Sequence, residues 1–191
     1  MPAQLNAGDR LQPVTHEVTN EKMVEFEKVV WDRGRNSHSD INVAKADGIA
    51  RTIASGQNQM AFLHEMMERN FGDAWVYGGK ISARYIHPVY AGDHITANGL
   101  VTEVGVANGK PRVTLQVWCE NQDGRKTSAG TASAGQPSAA RSWIGAGTKA
   151  GAAKARTSSA SIIAACCENI LGITRIVMSP NSLGLCSRRG R

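Results

Sequence analysis

Apolar positions change rhythm several times along the chain, and each change marks an element. Thr19 can cap a helix that starts after Val18, and from Lys22 to Trp31 the residues Met23, Phe26 and Val30 share one face. The run Trp31-Asp32-Arg33-Gly34-Arg35 breaks that pattern. A second, short helix is predicted from a cap at Ser39 or Asp40 through Ala46, with Asp47-Gly48 as its stop. The longest helical period runs from Gln57 to Phe71, where Met60, Phe62, Leu63, Met66, Met67 and Phe71 cover a broad face. His64, Glu65, Glu68 and Arg69 fall on an opposite arc of roughly 140°, which predicts a solvated side. So apolar a helix requires a cover, and Gly72 ends it.

Downstream the period falls to two. Trp75 to Ile86, His94 to Val104, Arg112 to Glu120 and Lys126 to Ala134 read as strands. In the third, Val113, Leu115, Val117 and Cys119 alternate with Arg112, Thr114, Gln116 and Trp118, as in a sheet with one buried face. Asn108-Gly109 and Asp123-Gly124 supply hairpin turns. A central helix followed by an antiparallel meander predicts an α+β fold. The alternation stops near Gln136, so residues 1–135 are predicted to form the domain and residues 136–191 a basic, small-residue tail with little order.

Composition changes this picture in two places. The chain has 191 residues, 41% of them apolar, enough for one packed core. Its net charge of +6 suggests nucleic acid, but residues 1–135 hold 14 basic against 15 acidic groups and the tail 8 against 1. The charge therefore belongs to the tail, which reads either as a solvated extension or as an anion-binding one, with nucleic acid the lesser expectation. Cys119, Cys166, Cys167 and Cys186 lack CxxC spacing and a neighbouring histidine cluster, so no metal is expected. The Gly145-Ala146-Gly147-Thr148-Lys149 stretch lacks the spacing of a phosphate-binding loop, and no nucleotide cofactor is indicated. The N-terminus has no signal-peptide pattern and no apolar run is long enough to span a bilayer, so cytoplasmic residence is expected.

The candidate chemistry lies in Asn36-Ser37-His38-Ser39-Asp40, with Gly56 eighteen residues beyond the histidine. A histidine in a polar loop is a general base near neutral pH, and Gly56 at the start of the long helix offers a backbone N–H where the helix dipole is positive. Asn36 can hold a water, and Asp32 is either a partner for the histidine or a turn residue. Arg84 projects from a strand and reads as a phosphate contact or as a rim salt bridge.

His38-Ser39-Asp40 with Ala44, then Ile53-Ala54-Ser55-Gly56, then Arg84-Tyr85-Ile86-His87-Pro88-Val89-Tyr90-Ala91-Gly92-Asp93 resemble the MaoC-like hot-dog family, which includes (R)-specific enoyl-CoA hydratases. The order and spacing of these pieces extend over roughly residues 8 to 135. The resemblance implies a long helix wrapped by a curved antiparallel sheet, pairing into homodimers or dimers of hot-dog pairs, with an acyl-thioester tunnel near the interface. It implies an acyl-CoA substrate, no cofactor beyond the CoA thioester itself, no membrane, and a place in fatty acid metabolism. His38, Asn36, Gly56 and Asp32 are the catalytic candidates, and Ser55, Gln57 and Arg84 the substrate-binding ones. Hydratases of the family carry Asp-x-Asn-Pro-x-His. Here the histidine is His38, but Arg33 stands five residues before it, Asn36 two before it, and Asp32 one residue too early. The expected activity is a hydratase or dehydratase of 2-enoyl and 3-hydroxyacyl thioesters. The alternatives are an acyl-CoA thioesterase and a non-catalytic acyl-thioester-binding subunit.

Overall fold

The computed structural model describes residues 4–30 and 34–137. Asp32 and the segment 138–191 lie outside the described residues. In chain order the elements are β1 (Val14–Glu17), α1 (Asn20–Val30), α2 (Ile41–Ala46), α3 (Gly56–Phe71), α4 (Asp73–Val76), β2 (Lys80–Tyr85), β3 (His94–Ala107), β4 (Lys110–Glu120) and β5 (Lys126–Gly135). The strands form one antiparallel sheet in the order β1-β3-β4-β5-β2. Among the described residues no helix is long and apolar enough to cross a membrane.

Helix α3 lies against the sheet and touches β1, β3, β4 and β5, the hot-dog arrangement. Met60, Leu63, Met66, Met67 and Phe71 are buried on its inner face, opposite Ile95, Ala97, Val101, Val113, Leu115, Val117 and Cys119 of β3 and β4. Each fully buried aliphatic or aromatic side chain of this kind contributes about 1.5–3 kcal/mol, so this face is what makes α3 helical in context. The β3–β4 turn is made by Asn108 and Gly109, both at positive φ (53° and 74°), as a tight hairpin with right-handed strand twist requires.

Three expectations need correction. The strand predicted from Trp75 begins only at Lys80, because Asp73–Val76 closes as one helical turn whose Trp75 and Val76 N–H groups bond back to the Gly72 carbonyl at 2.9 and 3.2 Å. Trp75 is thereby buried against α3 instead of standing on the sheet. That in turn removes His64 from solvent: its ring meets Trp75 edge-on, with centroids 5.2 Å apart, and its Nε2 is enclosed with no hydrogen-bond partner. Burial pulls its pKa down to about 4. Glu65 is not solvated either, since its carboxylate holds His16 Nε2 at 2.7 Å and Arg69 at 2.5 Å. Burial raises the pKa of Glu65, but the hydrogen bonds and charges of His16 and Arg69 outweigh it and leave the group below its ordinary value.

The connection from α1 to α3 is pinned beside the start of α3. Val18 N–H donates to Asp93 O and Gly92 N–H to Val18 O, both at 2.8 Å, while Ala54 N–H donates to Val89 O at 2.8 Å. Thr52 Oγ1 donates to Asn20 Oδ1 at 3.0 Å. These bonds hold the segment that enters α3 against Val89 and the start of α1.

Candidate active site

Helix α3 begins without a side-chain cap. Ser55 occupies the N-cap position in extended conformation, its hydroxyl makes no capping bond, and Oγ is enclosed and unpartnered. Neither the Gly56 nor the Gln57 N–H finds an acceptor among the described residues. Two free backbone donors at the positive end of a helix dipole are suited to an oxygen that carries or gains negative charge. Tyr85 of β2 closes over them: a Cβ added at Gly56 would lie 2.5 Å from its Cε2 atom. Glycine is therefore required by contact, not by backbone angle. The Tyr85 hydroxyl is enclosed without a partner, and burial pushes its pKa up to about 12, so it stays protonated as a potential donor.

His38 approaches the same segment from the loop. Its Nδ1 lies 2.8 Å from the carbonyl oxygen of Ile53, three residues before Gly56. A carbonyl only accepts, so Nδ1 carries the proton and Nε2 presents a lone pair. Ile53 N–H donates in turn to Ser37 O at 3.4 Å, which ties the two segments together on both sides of the imidazole. With Nδ1 engaged in this way, Nε2 is the ring nitrogen left to accept a proton.

The loop backbone is held by Asn36. Its Oδ1 accepts from His38 N–H at 2.9 Å and from Ser39 Oγ at 3.3 Å, and its carbonyl accepts from Ser39 and Asp40 N–H at 3.0 and 2.9 Å. Its Nδ2 donates to Glu27 Oε2 at 3.3 Å. Of the two cap candidates, Ser39 and Asp40, it is Asp40 that caps α2: its Oδ1 accepts from Asn42 N–H at 2.8 Å, and Oδ2 pairs with Arg35. The Asn42 N–H holds the Asp40 carboxyl below its ordinary value; burial opposes this, and Arg35 adds to it. Asp40 is committed to the cap. Among the described residues no carboxylate lies within 4.0 Å of a His38 ring nitrogen.

Of the residues expected at the site, His38, Asn36, Ser55 and Gly56 come together around Ile53, and Gln57 follows with an enclosed, unpartnered Oε1. Arg84 is exposed and alternates with Tyr85, so it faces away from the start of α3, and it pairs with no carboxylate among the described residues. Two neighbours escaped sequence reading. Tyr85 shares the inward parity of Ile81 and Ala83, a signal that was present in the strand. Glu27 follows Met23 by four residues and precedes Val30 by three, which puts a carboxylate on the apolar stripe of α1.

The profile of the MaoC like domain matches residues 5–123. The chain belongs to the MaoC-like domain family. No curated protein sequence matches the chain. Among solved structures it resembles the (R)-hydratase from A. caviae involved in PHA biosynthesis, with 20% identity and a TM-score of 0.57 over 70% of this chain and 98% of that one. An unliganded R-hydratase from Pseudomonas aeruginosa aligns at 20% identity and TM-score 0.59, covering 70% and 83% of the two chains. A MaoC-like dehydratase from Rhodospirillum rubrum aligns at 20% and 0.56, covering 68% and 91%. At this identity the structural matches establish the shared hot-dog fold.

Proposed function

We propose that the protein is a hydro-lyase that adds or removes water across the double bond of a 2-enoyl thioester of coenzyme A. The observation that supports this most is the His38–Ile53 bond at 2.8 Å, which uses Nδ1 and leaves Nε2 free, on a carbonyl three residues before two unpaired N–H groups at the start of α3.

In the hydration direction, Nε2 of His38 takes a proton from water as the oxygen bonds to C3. The electron pair of the double bond moves toward the thioester carbonyl, whose oxygen gains negative charge and accepts from the Gly56 and Gln57 N–H groups. The imidazolium then returns its proton to C2, and one water has been added. A positioned base is worth about 10²- to 10⁴-fold and an oxyanion donor about 10²- to 10³-fold, so the pair suffices for turnover. Family membership and the (R)-hydratase neighbours favour the same reading. A homodimer is part of it, since hot-dog domains of this family pair through their sheets.

The test is incubation with trans-2-enoyl-CoA thioesters of short and long chains, followed by loss of the enoyl absorbance. Turnover with at least one chain length is expected; none across the series overturns the proposal. Release of free thiol from saturated acyl-CoA would favour a thioesterase, and binding without either reaction a non-catalytic subunit.

A further inference from the structure

Glu27 is a buried carboxylate in an otherwise apolar position. It is 5% exposed, beside Met23 and Phe26 on the inner face of α1, and no cation pairs with it among the described residues. Ionised carboxylates are costly to enclose, and an apolar residue of similar size would serve the α1 packing better. The compensation visible in the structure is the bond from Asn36 Nδ2 to Oε2 at 3.3 Å. Oε1 is enclosed and has no partner among the described residues.

That bond decides which way Asn36 faces. A carboxylate accepts only, so it draws the amide nitrogen of Asn36 and leaves Oδ1 for the His38 and Ser39 donors, as observed at 2.9 and 3.3 Å. A flipped Asn36 would turn its oxygen toward the carboxylate and its NH2 toward the His38 N–H, which opposes two acceptors on one side and two donors on the other. With Asn36 fixed, the His38 backbone is fixed, and its ring meets Ile53 O.

We propose that Glu27 is the positioning carboxylate of the site: acting through Asn36, it sets the orientation of the His38 loop. This inference rests on the hydratase reading only for its kinetic readout. The family motif sets its aspartate five residues before the histidine, where this chain has Arg33; Glu27 is in a different place, on a preceding helix, and acts one residue removed from the imidazole.

The experiment uses the full chain and three variants, Glu27→Gln, Glu27→Leu and Asn36→Ala. Gln can offer Asn36 either an oxygen or an NH2, so it permits both amide orientations while keeping shape; Leu removes the charge and the acceptor together. With a 2-enoyl-CoA substrate, Glu27→Gln is expected to lower kcat about 10- to 100-fold with KM changed less than about twofold. Adding it to Asn36→Ala is expected to cost nothing further. Glu27→Leu is expected to lower kcat at least as much while the melting temperature holds or rises, the opposite of what a merely structural role predicts. Independently of turnover, the imidazole 15N shifts of His38 should report a single Nδ1–H tautomer in the parent chain and a mixture in both Glu27 variants. Unchanged His38 shifts in Glu27→Gln overturn the inference, as does a loss that adds fully to that of Asn36→Ala. If no enoyl thioester is turned over, the hydratase reading falls and the 15N shifts alone still decide the role of Glu27. Should Glu27→Leu not fold, the Gln variant decides.

Discussion

His38 donates its Nδ1–H to the carbonyl oxygen of Ile53 across 2.8 Å, and that single contact fixes both the tautomer and the direction of the imidazole. The bond links a loop before α2 to the strand-like segment that enters α3, so the base and the helix terminus move as one piece.

Replacing the ring is therefore expected to remove catalysis with little effect on the fold. His38→Gln should lower kcat about 10²- to 10⁴-fold, the worth of a positioned base, with the melting temperature within a few degrees of the parent. Steady-state kinetics on the preferred enoyl-CoA checks this. A kcat within threefold of the parent would show that another group takes the proton.

Gly56 is tested through its neighbour. A methyl group there meets the Tyr85 ring at 2.5 Å, so Gly56→Ala should displace that ring, destabilise by about 1–3 kcal/mol and lower kcat. Combining it with Tyr85→Ala, which opens the space, should restore part of the lost stability in urea unfolding. If the double variant is simply the sum of the two, the contact is not the reason for glycine.

The buried His64 makes stability depend on pH. Its folded pKa of about 4 lies below the ordinary value, so the unfolded chain binds the proton more readily. The contribution is complete above about pH 6.5, is lost progressively between 6.5 and 4, and is gone below 4. The loss should reach about 1–3 kcal/mol, read as the difference between the parent and His64→Leu in urea unfolding at pH 7, 5.5 and 4. Carboxylate titrations are common to both chains and cancel. Parallel pH curves for the two proteins would mean that His64 is hydrated in solution.

Leu63, fully buried at the middle of α3, measures how much the helix depends on the sheet. Leu63→Ala should cost about 2–5 kcal/mol in urea unfolding. A cost below about 1 kcal/mol would mean that the core collapses freely around the gap.

Legibility in the sequence followed the range of the interactions. The apolar face of α3 and the alternation of Val113, Leu115, Val117 and Cys119 were readable because each repeats locally and ends in the core. Asp40 as a cap and Asn108-Gly109 as a turn were readable because their chemistry is complete within a few residues. Strand β1 was missed because four residues give too short a pattern, and its pairing partners Ile95 and Thr96 lie about eighty positions away. Trp75 was misread since aromatic residues favour strands, while a single helical turn after Gly72 leaves no periodic trace. His64 followed from that error, because a helical wheel cannot show a ring delivered by the next element. Within the site, the sequence pointed to His38 and Gly56, but the Ile53 carbonyl that orients the one and the Tyr85 ring that crowds the other are tertiary contacts.

Leu5 and Gln136 exchange two hydrogen bonds, Leu5 N–H to Oε1 at 3.3 Å and Nε2–H to Leu5 O at 3.0 Å. Strand β5 runs from Ser128, paired with Tyr85, to Gly135, paired with Arg112, about 23 Å farther along the sheet. Both ends of the described residues thus meet at the end of the sheet far from Tyr85. A linker joining residue 4 to residue 137 in a circular permutant would therefore be short and would leave the Tyr85 end of the sheet untouched.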